Sequence, residues 1–94
     1  MDVREAGRPV NRTATGDIVA ATASPAPPAA GHMIGFYVNS TTALTLIFRD
    51  GGAGGTVLNG AITPAAGFHP FPCEFANGLH VTFGGAGDAT FFVK

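Results

Sequence analysis

Ninety-four residues that include 14 glycines can build one domain at most, around a thin core. Only 12% of the side chains are charged, against about 25% in an average globular domain, and the net charge is −1. That balance excludes nucleic acid as the main partner, and no run reaches the roughly 18 apolar residues of a membrane span; the single Cys73 excludes an internal disulfide and fits synthesis in a reducing cytoplasm.

The charges are unevenly placed. Asp2, Arg4, Glu5, Arg8, Arg12 and Asp17 crowd the start, and the rest of the chain keeps only Arg49, Asp50, Glu74, Asp88 and Lys94. The start is polar and shows no apolar core of a secretory leader. Residues 1–16 have neither helical nor strand periodicity, and Gly7 and Pro9 break the stripe that Arg4, Arg8 and Arg12 would form on a helix. They are expected to be an extended arm, with residues 17–94 as the body. A body so poor in charge is expected to be covered by neighbours, since a lone monomer keeps a more charged surface.

Residues 17–23 (DIVAATA) are short, apolar and partly β-branched, as in a first strand. Pro25, Pro27 and Pro28 follow and make a stiff connector that cannot donate to a ladder. Residues 32–39 (HMIGFYVN) read as a strand with Ile34, Phe36 and Val38 on one face. Residues 43–49 (ALTLIFR) alternate again, with Leu44, Leu46 and Phe48 facing in, and Ser40-Thr41-Thr42 between them predicts a hairpin connection.

Residues 51–55 are a glycine-rich loop, and residues 56–63 predict two very short strands broken at Asn59-Gly60. Pro70 and Pro72 demote residues 68–75 (FHPFPCEF) to an edge strand or an extended corner. Asn77-Gly78 marks a turn. Leu79, Val81 and Phe83 then face in, residues 84–88 turn the chain, and residues 89–93 (ATFFV) close it. The sum is an all-β fold, a small β-sandwich or jelly-roll-like barrel of seven or eight short antiparallel strands.

Chemistry has little to work with. The Gly51–Gly55 loop has no following lysine and precedes a strand, so it is a hairpin loop and not a phosphate cradle. His32, His69 and His80 lie on separate strands without the paired spacing of a metal site, and read as surface or interface histidines. Glu74 beside Cys73 disfavours the thiolate, which leaves a buried or half-buried thiol. Asp50 and Asp88 sit in glycine turns, where local backbone hydrogen bonding accounts for them. No catalytic residue, cofactor or metal is expected. Tyr37, Ile47 and Phe92 point away from the core rows and form candidate contact positions, for a subunit interface or for a second packed sheet face.

Six stretches carry a family resemblance: Gly16-Asp17-Ile18-Val19-Ala20-Ala21, Ile34-Gly35-Phe36-Tyr37-Val38, Thr45-Leu46-Ile47-Phe48-Arg49-Asp50-Gly51-Gly52, Gly54-Gly55-Thr56-Val57-Leu58-Asn59-Gly60-Ala61-Ile62-Thr63, Gly78-Leu79-His80-Val81-Thr82-Phe83 and the closing Thr90-Phe91-Phe92-Val93. Their order resembles small tailed-bacteriophage virion proteins of the head decoration (cement) type, over residues 16–94. The Pro-rich connector and the Pro- and Phe-rich residues 68–75 depart from that pattern.

The resemblance implies a non-enzymatic module on the capsid surface of a virion, made in the host cytoplasm. Its partners would be the major capsid protein and further copies of itself, as a trimer. On that reading Arg4, Arg8 and Arg12 of the arm meet acidic groups of a neighbouring subunit, while Tyr37, Ile47 and Phe92 dock. The alternatives are another virion component (a head fibre base, neck or tail protein) and a carbohydrate-binding or adhesion module.

Overall fold

The computed structural model describes residues 8–94, so Arg4 and the first half of the expected arm lie outside the described residues. Those described form an all-β protein, one antiparallel sheet of six strands. In chain order they are β1 (Arg8–Arg12), β2 (Gly16–Val19), β3 (Gly31–Asp50), β4 (Thr56–Val57), β5 (Gly67–Phe75) and β6 (Leu79–Val93).

β3 and β6, 20 and 15 residues long, are paired along nearly their whole length, from Met33 opposite Val93 to Asp50 opposite Leu79. This overturns the expected hairpin at Ser40-Thr41-Thr42. Those residues do not reverse the chain; they face Asp88, Gly87 and Ala86 of β6, which belong to the other expected turn. The two stretches lie opposite each other and bend together, with register shifts on both sides. Ala43 takes a left-handed φ of 53° at the bend, and Gly85 one of 67°. A methyl on Gly85 would collide with the carbonyl oxygens of Ala43 and Thr42, so only glycine fits there. Joining two pairs of expected strands into two bent ones leaves six strands among the described residues, where seven or eight were expected.

The bend divides the sheet into two halves. One contains the start of β3 and the end of β6, flanked by β5 and β1; the other contains the end of β3 and the start of β6, flanked by β4 and β2. Phe36 and Phe91, opposite each other in the first half, meet Phe48 from the second at ring-centre distances of 5.7 Å each. Phe71 of β5 adds a fourth ring, 5.1 Å from Phe48. Met33, Val38, Leu44, Leu46, Leu79, Val81, Ala89 and Val93 close the core around them. Ring pairs in such offset and edge-on arrangements add about 0.5–1.5 kcal/mol each beyond area burial.

Leu44, Leu46 and Phe48 face in as their alternation predicts, as do Leu79 and Val81. Ile34 does not share the face of Phe36 and Val38. The register shifts between Met33 and Gly35, and the bulge hands the buried position to Met33, leaving Ile34 half-buried.

The expected arm is partly a strand. Residues 8–12 pair with β6 of the same chain, from Arg8 opposite Val93 to Arg12 opposite Ala89, and Val10 packs on the core. The Pro-rich connector is tied to the body chiefly through Asn77, which accepts from the Thr22 and Ala29 amides at 2.9 and 3.0 Å and donates to the Thr22 carbonyl at 2.8 Å, while the Thr22 hydroxyl donates to the Pro27 carbonyl at 2.6 Å within it. Asp50 in turn accepts from the amides of Ala76 and Asn77, at 2.8 and 3.1 Å. Its role is therefore long-range capping and not bonding within its own turn.

Phe48→Ala, which removes the ring joining the two halves, is expected to cost about 3–5 kcal/mol in urea unfolding. Ile34→Ala, off the core row, is expected to cost far less.

Candidate functional site

Alternation along a strand sends successive side chains to opposite faces. With Phe36, Phe91 and Val10 turned into the core, the opposite face of that half is built by Pro9 and Asn11 of β1, Asp88, Thr90 and Phe92 of β6, Gly35, Tyr37 and Asn39 of β3, and Phe68 and Pro70 of β5. Tyr37 stands opposite both Phe68 and Thr90. Phe68 and Tyr37 keep 50% and 46% of their surface exposed, and the Phe68 ring lies 6.1 Å from that of Phe92.

Gly35 makes this arrangement possible. A methyl there would strike the Phe68 ring and the His69 carbonyl, so the ring rests over bare backbone. Its far side faces solvent.

Beside the rings lies a polar cluster. Asn11 and Asn39, from the strands on either side of β6, both donate through Nδ2 to Asp88 Oδ1, at 2.6 and 3.2 Å. The same two nitrogens also donate to Thr90 Oγ1, at 3.1 and 3.2 Å. Asp88 is thus tied to strands across the sheet, which local turn bonding did not foresee. The cluster and the rings form one continuous outer surface.

Two expected contact positions, Tyr37 and Phe92, are brought together here. The third, Ile47, is half-buried on the outer side of the other half of the sheet, opposite Thr82, away from this surface. Arg8 is exposed at the start of β1. Arg12 folds back on its own chain, where its Nη2 donates to the Thr15 carbonyl at 3.4 Å and its guanidinium fills the space over Gly16. Arg4 lies outside the described residues. Phe68, the most exposed ring, was hidden in the sequence by the prolines around it, although its odd-numbered distance from inward Phe71 is a usable signal.

His80 departs from the surface position expected of it. It points away from Leu79 and Val81, yet it is only 5% exposed, with Nδ1 at 2.9 Å from Asp17 Oδ1 on the neighbouring β2. His69 lies against Phe36, at a ring-centre distance of 5.3 Å, with Nε2 at 2.7 Å from the Ala65 carbonyl. His32 is exposed at the far end of the sheet. Among the described residues no group of three or more His, Cys, Asp or Glu side chains converges.

Cys73 is half-buried opposite Met33, beside an open hollow lined by His32, Pro72 and Glu74. Burial pushes its thiol above the ordinary value of 9.0, and the Asp50 carboxylate adds to the rise against a lowering bond from the Met33 backbone. No helix of the described residues is long and apolar enough to cross a membrane.

No family model, curated protein or solved structure matches this chain.

Two outcomes follow. Iodoacetamide is expected to label native Cys73 more slowly than an unfolded control at pH 8, with the native rate rising through a higher pH. Asp17→Ala, which strips the carboxylate from a nearly buried imidazole, is expected to lower stability by about 1 kcal/mol at neutral pH, read from urea midpoints.

Proposed function

We propose that the protein is a non-enzymatic structural component of a virus particle, one that decorates a phage capsid by docking its outer aromatic face on the shell. The bent sheet would make it a small β-sandwich, in which two halves of one sheet form the layers. The observation that carries the reading is the pair of exposed rings Tyr37 and Phe68, with the half-buried Phe92 beside them, on one strand face. Aromatic rings of this kind are the usual energetic anchors of protein interfaces. Scarcity of charge over the rest of the body agrees with a surface meant to be covered, and the sequence resemblance supplies the shell as the partner.

The mechanism would be additive burial. A standard interface covers about 800 Å² per partner, and apolar burial stabilises by about 25 cal/mol per Å² before association costs are subtracted. Many copies on one shell would make a weak single contact sufficient, and self-association would multiply it further. Arg4 and Arg8 would add contacts at the sheet's end.

One specific observation favours a rival. Exposed rings beside amides and a carboxylate are also what a sugar-binding platform presents, so a glycan array tests the adhesion reading directly.

Phe68→Ser is expected to leave the melting temperature within a few degrees of wild type and to weaken co-sedimentation with empty heads of the phage encoding the protein by at least tenfold, roughly what loss of an interface anchor costs. Undiminished binding by that variant would exclude this face as the contact.

A further inference from the structure

We propose that the polar end of the aromatic face is a socket for an arginine side chain of the shell subunit, its guanidinium lying over the Tyr37 ring and bonded by Asp88. The inference rests on the docking reading above and adds the chemistry of the partner.

The bonds already made inside the cluster decide that chemistry. Asn11 Nδ2 is held by Asp88 Oδ1, Thr90 Oγ1 and the Ala89 carbonyl, and Asn39 Nδ2 by the same carboxylate and hydroxyl oxygens. The amide donors are therefore committed inward. What the cluster offers outward is mostly acceptors, Asp88 Oδ2 and the amide oxygens of Asn11 and Asn39, with the Thr90 hydroxyl as its one further donor. A surface of acceptors with one full negative charge calls for a ligand made of donors and positively charged. A neutral sugar hydroxyl both gives and takes, and leaves the charge unanswered.

Among the described residues no lysine or arginine is bonded to Asp88: Arg8 and Lys94 are exposed at the other end of the β1–β6 pair, five or more residues along from it. Arg12 is turned to the Thr15 carbonyl, and Arg49, on the other half of the sheet, donates to the Gly55 carbonyl at 3.3 Å. His80, bonded to Asp17 at 2.9 Å, is on that other half as well.

Arginine fits better than lysine because of the neighbour. Tyr37 stands opposite Thr90, and Asp88 lies two residues along β6 from Thr90, about 7 Å away on the same face. A planar guanidinium can lay its face on the ring while its fork meets the carboxylate; an ammonium does one or the other. Because Asp88 Oδ1 is pinned from both sides by Asn11 and Asn39, the carboxylate is held in place before the partner arrives, which reduces the ordering cost of docking.

The test is co-sedimentation with empty phage heads at low and at high salt, using wild type, Phe68→Ser, Asp88→Asn and Asp88→Lys, with melting curves on each. Asn at position 88 can still accept from both neighbouring amides, so the fold is kept while the charge is lost. Asp88→Asn is expected to bind about tenfold more weakly at low salt and to lose the salt dependence that wild type shows; Asp88→Lys is expected to fall further. If wild type and Phe68→Ser differ as stated but Asp88→Asn binds like wild type at every salt concentration, the socket is wrong and the docking face stands. If wild type does not bind heads at all, the docking reading itself fails. Dimerisation of wild type in solution that Asp88→Asn abolishes, without any effect on heads, would assign the socket to a second copy and overturn the shell as its partner.

Discussion

Everything described here depends on two long strands that pair with each other twice, once on each side of a shared bend. β3 and β6 would otherwise form a flat ribbon with one greasy face toward water. By bending at the same level, through the left-handed Ala43 and Gly85, they bring Phe48 down between Phe36 and Phe91. One ring from the second half thereby closes the core of the first. A chain so rich in glycine has little side-chain volume to spend, and folding a single sheet on itself buries both halves with the same residues.

The fold also determines which surface is left over. Edge strands are commonly blunted against unwanted pairing, and Pro70 and Pro72 do this for β5. The broad outer face has no such protection. It carries the exposed Tyr37 and Phe68 rings, the latter resting against Gly35, and an amide–carboxylate cluster that ties three strands together above the core. Rings and cluster are carried on paired strands, and neither sits on a loop.

Much of the core was legible in the sequence. Period-2 alternation placed Leu46, Phe48, Leu79 and Val81 correctly because each lies in a stretch whose register is undisturbed, and Leu44, at the edge of the shift between Thr42 and Thr45, keeps their phase. Ile34 was misplaced because a bulge at Gly35 changes the phase, and a glycine signals such a bulge without saying which residue it displaces. Ser40-Thr41-Thr42 and the glycines near Asp88 signal a change of direction in the same way. Whether the chain reverses or merely bends is decided by the opposing strand, which local sequence does not identify. The outer face was half legible. Tyr37 and Phe92 follow from alternation, whereas the Asn11–Asp88–Asn39 cluster joins residues 77 and 49 positions apart and exists only once the strands are aligned.

The central claim of the proposal is that the outer aromatic face is the main surface that meets the partner. A photo-crosslinking amino acid placed at position 68, and separately at the equally exposed Val57 on the other half of the sheet, tests it most directly on decorated heads. The account predicts efficient crosslinks to the shell subunit from position 68 and none from position 57. Crosslinks from position 57 alone, or equal yields from both, would contradict it.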